Sequence, residues 1–355
     1  MKSIFEIETE EEYLKYKNIV DINEINKDNE TALFEVSASG YTRSQWLIKH
    51  GINIHHANNY GRNALFDSRG SIAQSIIEAG IDINHRDNKG QTALFHARYK
   101  TAKELIKRNC DVNVIDNMGR NALFYTGDLQ KTTLLLEHNI NKNQIDNSGM
   151  NALFFCDCDR AKLLIKSGID VNVVEKEYQG NVLFRPHFFE DPELIDMLLD
   201  EGINIHQIST QNKTLLFYAS NPYVEKFIKA GVDVNQIDVY GYNALFYAPL
   251  DESKVLLEYG IDVNKKSNNG EDIILYADYK KTKLIISKIK DLSFYTPEKL
   301  AELKREEPEI YTNKKIELIT QRQLQIKAEN EKESIFENIS LNVNNQSSDN
   351  KNRRL

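Results

Sequence analysis

A short apolar block recurs along the chain at nearly constant intervals. Each copy reads Thr/Asn-Ala-Leu-Phe or a close variant. The copies begin at Thr31, Asn63, Thr92, Asn121, Asn151, Asn181, Thr214, Asn243 and, in degenerate form, Asp272. The steps between the third residues of successive copies are 32, 29, 29, 30, 30, 33, 29 and 29. Nine copies at such a period indicate a repeat array.

A second recurring block fixes the order of elements within one repeat. Gly-Ile-Asp-Val-Asn at 168–172 follows a run of leucine and isoleucine, so the glycine is expected to end a helix with a positive φ. The alternation after it predicts extended chain, and Asp-x-x-Gly at 116–119 predicts a tight turn. Asparagine, which tolerates the same backbone conformation, replaces the glycine at Asn29, Asn109, Asn139 and Asn212. One repeat is therefore a hairpin, a short helix capped by Thr or Asn, and a longer helix.

The two blocks together resemble the ankyrin repeat, a β-turn followed by two antiparallel helices with a Thr-Pro-Leu-His signature and a period near 33. The resemblance covers roughly residues 15–288. It implies an all-α fold: an α-solenoid of hairpin and helix-turn-helix repeats, in which neighbours bury each other's apolar faces. Ala and Phe replace the signature Pro and His, and most repeats lack three to four residues between the helices. The length of the first helix therefore stays open.

The array is expected to span 21–288, with a cap before it. Residues 1–20 combine acidic positions with the apolar residues Phe5, Leu14 and Ile19, which is typical of the polar end that a solenoid requires.

A C-terminal helical extension is expected at 289–337, because Thr296 and Pro297 form a helix start and a second helix follows Pro308. Its apolar stripe, which includes Ile319, is thin. Two interpretations stay open: a cap docked on the last repeat, and a helix that binds a partner or dimerises. Residues 338–355 are rich in Asn and Ser and predict disorder.

Charge and composition exclude several classes of function. The formal net charge is −8 and the pI near 5.6, which argues against a nucleic-acid partner. We find neither a signal peptide nor an apolar stretch long enough to cross a membrane, so no membrane partner is expected. Three cysteines in a long chain fit a reducing compartment. These features predict a cytoplasmic, monomeric protein, acting in the host cytoplasm if it is a viral or bacterial effector.

Catalytic chemistry has little support in the sequence. Cys156 and Cys158 form half of a metal site, but no pair at zinc-like spacing complements them, and reduced thiols are the simpler interpretation. His55 and His56 fit a solvated pair at a hairpin. No phosphate-binding glycine loop or nucleophile motif is present. We therefore expect no catalytic residue, no metal and no cofactor: the protein is not predicted to be an enzyme.

Variable positions on the repeat are predicted to contact a protein partner. In ankyrin-type stacks the hairpin tips and first helices line a concave groove, so the resemblance implies contacts there. The predicted residues are Tyr60, Arg62, Met118, Arg120, Tyr125, Met150, Tyr240, Tyr242 and Tyr247. Tyr, Arg and Met are enriched in interface cores. The alternative for some of the aromatic residues is packing between adjacent repeats.

These observations favour a non-catalytic scaffold that binds a partner protein of unknown identity. The Asn-, Ile- and Lys-rich composition is typical of AT-rich genomes, and by analogy we expect a role as an inhibitor or effector in host–parasite or phage–bacterium conflict. Two alternatives stay open: a self-assembling structural protein that uses the C-terminal helix, and a regulatory subunit of an enzyme.

Overall fold

A computed structural model describes residues 2–36, 40–306 and 310–352. Within these ranges the fold is all-α, and the hairpins contribute only the isolated bridges Ile25–Thr31 and Ile237–Asn243. The chain forms two compact units. The first extends to Val182 and includes His187–Asn204, and the second comprises Leu183–Pro186 and the chain from Ile205 onward.

The first unit is built on six longer helices that pack in chain order, each against the next. They are Tyr41–Lys49, Gly70–Glu78, Tyr99–Lys107, Leu129–Glu137, Cys158–Lys166 and Pro192–Asp200. Short first helices precede them at Ala32–Glu35, Ala93–His96, Ala122–Tyr125 and Ala152–Phe155, the last two being 3-10 helices. Further 3-10 turns span Val182–Phe184 and Pro186–Glu190.

The second unit repeats the same order. Its short helices are Leu215–Phe217, Ala244–Tyr247 and Ile273–Tyr276, and its longer helices are Tyr223–Lys229, Leu250–Glu258 and Tyr279–Ile285, the last continued by a 3-10 turn at Ile286–Lys288. The longer helices again pack in chain order.

The first helix of each repeat is a single turn, which answers the question that the sequence leaves open. The first two apolar residues of the block are buried in every repeat, as Ala122 and Leu123 illustrate. The next link residue, such as Ala97 or Thr126, is already extended, with ψ near 134° and 135°. One further residue or two then lead into the longer helix, so the residues missing from the ankyrin pattern are those of a second helical turn.

Asparagine starts these one-turn helices by joining two segments. The Asn151 Oδ1 accepts a hydrogen bond from the Leu153 N–H at 3.1 Å, and its Nδ2 donates to the Asp170 carbonyl at 2.8 Å. Asn121 makes the equivalent pair of bonds with Leu123 and Asn141. The predicted capping role is confirmed for these two residues, and each also ties the helix to the hairpin that follows it. For Asn243 the predicted cap is wrong: its Nδ2 donates to the Asp262 carbonyl at 2.8 Å, but its Oδ1 caps no N–H.

Threonine at the same position behaves differently. Thr31, Thr92 and Thr214 make no side-chain cap bond, so the capping role predicted for threonine is wrong. The threonine hydroxyl lies one bond closer to the backbone than the asparagine oxygen. Burial of the following Ala and Leu therefore holds these helix starts without a cap.

The asparagine that ends each Gly-x-Asp-x-Asn block links successive hairpins. The Asn143 Oδ1 accepts from the Asp170 N–H at 2.8 Å, and the Asn172 Oδ1 from the Asn204 N–H at 2.7 Å. In the second unit Asn235 accepts from Asp262 at 2.7 Å. Each repeat therefore fixes the backbone of the next through a side-chain hydrogen bond.

Helix ends and turns adopt the predicted conformations. Asn109 and Asn139 have φ near 60° and 58°, and Asn29 and Asn212 have 59° and 61°, so the substitution of Asn for Gly is confirmed at all four positions. Gly119 has φ 79°, and a Cβ there would lie 2.9 Å from the Asn147 Oδ1. Glycine is therefore required at this turn for two reasons: its φ is positive, and the next turn lies too close to leave room for a Cβ.

Buried cations close the open ends of the one-turn helices. The Lys131 Nζ donates to the Phe95 carbonyl at 3.1 Å, and the Lys281 Nζ donates to the Leu245 and Ala248 carbonyls at 2.5 and 2.6 Å. Both side chains are buried, and burial lowers the pKa of each ammonium to about 8. A cation is favourable at a helix C-terminus, where carbonyls lack partners.

The N-terminal residues pack on the first repeat, but through other side chains than the sequence indicates. Ile4 and Ile7 are fully buried, and the Tyr13 ring stacks on Trp46 with centroids 5.2 Å apart. Leu14 and Ile19 are exposed instead. Tyr13 and Leu14 are neighbours on helix Glu10–Tyr16, so only one of them faces the first repeat.

The C-terminal extension consists of helices Pro297–Glu306 and Ile310–Asn352. Ile319 is fully buried, the Arg322 Nε donates to the Ile289 carbonyl at 3.2 Å, and Gln323 donates to the Leu292 carbonyl at 3.0 Å. This part of the long helix is docked on the end of the last repeat.

The long helix does not stop where the sequence predicts disorder. It continues from Asn338 to Asn352, and residues 353–355 lie outside the described ranges. Once a helix is nucleated, each added residue fixes one more hydrogen bond. A polar segment that could not start a helix can therefore extend one.

Candidate functional site

The hairpin turn is held by one carboxylate at its start. The Asp116 Oδ1 accepts from the backbone N–H groups of Met118 and Arg120 at 2.9 and 3.0 Å, and the Asp116 N–H donates to the Arg120 carbonyl at 2.8 Å. The same bonds recur from Asp87, Asp146 and Asp238. The turn backbone is thus satisfied internally, which leaves the side chain at its third position free to vary.

Side chains at that third position, which we call the tip position, face solvent. Tyr60 is 67% exposed and Met118 49% in the first unit, and Tyr240 is 58% exposed in the second. Large apolar side chains that stay exposed at a recurring position are typical of a surface that contacts another molecule. For these three residues, the geometry is compatible with the predicted partner contact.

Residues two positions further, which we call the bridge position, reach towards the next repeat. The Arg62 Nε lies 3.2 Å from the Asp87 Oδ2, and the Arg120 Nε lies 2.8 Å from the Asp146 Oδ2. The Arg120 guanidinium also lies 4.4 Å from the centroid of the Phe155 ring. These two arginines, predicted as partner contacts, join adjacent repeats. Met150, at the same position of its own turn, is half-buried.

Tyrosines on the first helices bind the turn carboxylate of their own repeat. The Tyr125 hydroxyl donates to the Asp116 Oδ2 at 2.6 Å, and the Tyr247 hydroxyl donates to the Asp238 Oδ2 at 2.7 Å. Burial alone would raise the pKa of the Asp116 carboxyl, but the hydrogen bonds from Tyr125 and Gln91 outweigh it and hold that pKa below its ordinary value. Tyr125 is half-buried, whereas the Tyr247 ring remains 44% exposed.

Tyr242 occupies the bridge position of the eighth repeat. Its hydroxyl donates to Glu271 at 2.8 Å and lies 2.9 Å from the Tyr276 hydroxyl, and its ring is half-buried. Packing between adjacent repeats, the alternative that the sequence leaves open for the aromatic residues, is what the structure describes for Tyr242. Arg62 and Arg120 also join adjacent repeats, which the sequence analysis did not foresee.

Exposed aliphatic residues just before the turn escape the sequence analysis. Ile115 and Ile145 are 42% and 40% exposed in the first unit, and Ile208 is 44% exposed in the second. They sit where an alternating pattern predicts burial. The available signal is their place immediately before the first residue of the turn, Asp116, Asp146 or Ser209.

The residues considered for metal binding have structural partners. The buried Cys156 thiol donates to the Leu153 carbonyl, and burial raises its pKa to about 12, so it is a protonated thiol at neutral pH. His56, expected to be solvated, has its Nε2 2.8 Å from the Asn29 carbonyl, a bond repeated between His85 and Gly61. Within the described ranges, no group of three His, Cys, Asp or Glu side chains is placed to hold a metal ion.

No helix in the described part of the chain is both long and apolar enough to span a bilayer. Comparisons with protein-family models and with curated proteins give no match. Among solved structures, the human ASB11 ankyrin repeat domain is similar, with a TM-score of 0.42 and 19% sequence identity. That similarity covers 51% of this chain and 87% of the other.

Proposed function

We propose that the protein is a non-catalytic scaffold that binds a partner protein through its hairpin tips. The observation that supports this most directly is the contrast within each turn. The side chain that starts the turn (Asn58, Asp116 or Asp238) accepts two backbone hydrogen bonds, while the tip side chains Tyr60, Met118 and Tyr240 are about half exposed or more. A side chain that contributes nothing to its own turn is available for another protein.

The exposed aliphatic residues enlarge this surface. Ile115, Met118 and Ile145 lie in successive hairpins of the first unit, and the hairpins are joined by the hydrogen bond from the Asn147 N–H to the Met118 carbonyl at 2.9 Å. Their apolar side chains lie on a rigid backbone, so binding loses little backbone entropy. Within each unit, the tip residues and the exposed aliphatic residues form the surface that we call the tip surface of that unit.

The test is an affinity capture with matched variants of the full chain. Met118→Ala and Tyr240→Ala should each reduce capture of the specific partner by tenfold or more, as expected for interface hot spots. Ile19→Ala is the control, because Ile19 is 61% exposed but lies in the N-terminal cap. All three variants should melt within a few degrees of the parent chain, since each changes an exposed side chain.

Capture that is unchanged in both tip variants would contradict the tip surface. Capture that falls equally in the Ile19 control would show that the effect is not specific to the tips. A role in host–parasite or phage–bacterium conflict forms part of the proposal by analogy alone. The identity of the captured partner tests that role.

A further inference from the structure

The carboxylates of successive turns have different partners, and cations neutralise several of them. Arg62 pairs with Asp87 at 3.2 Å and Arg120 with Asp146 at 2.8 Å in the first unit. In the second unit the Lys213 Nζ lies 3.8 Å from the Asp238 Oδ2. In each case the cation comes from the bridge position of another turn.

The ninth repeat departs from this pattern. Ser267 stands where Asp87, Asp116, Asp146 and Asp238 stand in four other turns, and the carboxylate is supplied instead by Glu271 at the bridge position. Glu271 accepts hydrogen bonds from Tyr242 and Tyr276 at 2.8 Å each and from Ser267 at 3.1 Å. These donors are hydroxyl groups, which stabilise the carboxylate without cancelling its charge. The bonds from Tyr242 and Tyr276 lower the pKa of Glu271, so it is ionised at neutral pH.

Tyrosine rings surround this carboxylate. The Tyr242 ring lies 5.5 Å from Tyr276 and 6.5 Å from Tyr240, measured between centroids. Tyr276 is 51% and Tyr240 58% exposed, so their ring faces are accessible. The Lys299 ammonium lies over the Phe294 ring at 5.8 Å, and its charge adds, after the hydroxyl bonds, to the lowering of the Glu271 pKa. The result is a patch of electron-rich rings around a negative charge that hydroxyls hold in place.

We propose that this patch, formed by Tyr240, Tyr242, Tyr276 and Glu271, binds an arginine side chain of the partner protein. The three hydroxyls all bond the Glu271 Oε2, so the Oε1 is the oxygen to which a guanidinium would donate while it stacks flat on the tyrosine rings. An ammonium is more strongly hydrated and has no flat face to stack. The inference rests on the proposed function, since it names the chemistry of the partner at one part of the tip surface.

The experiment uses peptides selected from a random display library on the immobilised full chain. Peptides whose binding is weakened by Tyr240→Ala are synthesised in two forms, with each arginine retained or replaced by citrulline, which has the same shape without the charge. Dissociation constants are measured by fluorescence anisotropy. We expect these peptides to contain arginine, and citrulline to raise the dissociation constant by about tenfold or more.

Glu271→Gln provides the matched change on the protein. Glutamine keeps an oxygen that accepts from the tyrosines but removes the charge, so the arginine peptide should bind about tenfold more weakly and the citrulline peptide equally well. Asp116→Asn is the control, because Asp116 also accepts from neutral side chains but is buried, and asparagine already starts the turn at Asn58. It should change neither peptide.

Two results would overturn the inference. Peptides that depend on Tyr240 but bind equally with citrulline, or equally to the Glu271→Gln variant, would exclude arginine recognition and leave the tip surface intact. If Tyr240→Ala weakens the binding of none of the selected peptides, neither the patch nor the eighth hairpin belongs to the tip surface. The proposed function fails as a whole only if partner capture is also unchanged by both Met118→Ala and Tyr240→Ala.

Discussion

The two sides of each repeat are held together by different forces. On the helix side, longer helices such as Cys158–Lys166 meet their neighbours through aliphatic residues such as Leu164 and Ile165, which are almost fully buried. On the hairpin side, successive repeats are joined by asparagine side chains and by turn carboxylates, for example Asn143 to Asp170 and Arg120 to Asp146. Aliphatic contact is non-directional, whereas each hydrogen bond requires a particular atom at a particular place.

This difference explains where the sequence can vary. On the hairpin side the polar residue that starts the turn (Asn58, Asp116 or Asp238) binds the turn backbone, so the tip residue is unconstrained and changes from Tyr60 to Met118 to Tyr240. On the helix side, residues of similar volume substitute for one another, and variation there changes packing rather than recognition. The hairpin side, which is held by directional hydrogen bonds, is therefore the side that presents variable side chains to solvent.

The largest effect should come from removing a hairpin-side asparagine. Asn151→Ala leaves the buried Leu153 N–H without its partner and also removes the part-buried bond to the Asp170 carbonyl, so we expect a loss of about 3 kcal/mol in the free energy of unfolding. Leu164→Met, which conserves volume on the helix side, should cost less than about 1.5 kcal/mol. Urea denaturation followed by circular dichroism measures both.

Asn151→Thr sharpens this contrast. Threonine starts the equivalent helix at Thr92 without a cap bond, so this position accepts a threonine side chain. Asn151→Thr should therefore lower the free energy of unfolding less than Asn151→Ala does, although it also loses the bond to the following hairpin. Equal losses for Leu164→Met and Asn151→Ala would show that the two sides do not differ in the specificity of their contacts.

The pH dependence of stability should reveal a buried charge near the helix side. The Lys131 pKa is about 8 when folded and near 10.5 when unfolded, so between these values the unfolded chain binds more protons. Stability therefore rises with pH in this window, by on the order of 1 kcal/mol between pH 8 and 9.5. Lys131→Met should remove that contribution, so the stability difference between parent and variant changes with pH.

Comparing parent and variant is necessary because other groups titrate nearby. Burial raises the pKa of Cys110 to about 11, so its contribution has the opposite sign, and Lys281 adds to the slope in both proteins. A parent-minus-variant difference that stays constant from pH 8 to 9.5 would show that Lys131 is not the source. The measurement is urea denaturation at intervals of half a pH unit.

The hairpin side was more predictable from the sequence than the ends of the chain. Turn position, helix ends and the positive φ at Asn109 follow from local rules about Gly and Asn, which depend on few residues. The choice of Tyr13 rather than Leu14 for burial depends on where Trp46 lies, far along the chain. Likewise, Arg120 and Tyr242 could not be separated from the exposed Tyr240 by residue type alone, because their bridging roles depend on carboxylates in the next turn.

The smallest effect is expected at the helices that begin with threonine, because the threonine side chain makes no cap bond there. In the described part of the chain, the buried hydroxyls of Thr31 and Thr214 have no hydrogen-bond partner. Valine has nearly the same shape without the hydroxyl, so Thr31→Val and Thr214→Val should leave stability unchanged or raise it by about 0.5–1 kcal/mol.

The matched control for these threonines lies on the helix side. The Thr132 hydroxyl donates to the Asp128 carbonyl at 2.9 Å and pairs with Thr126, so Thr132→Val should cost about 1 kcal/mol. Thermal denaturation of the three variants resolves differences of this size. If Thr31→Val were as costly as Thr132→Val, the Thr31 hydroxyl would have a bond in solution, and threonine would cap its helix much as asparagine does. The contrast between the hairpin side and the helix side would then extend to the first repeat.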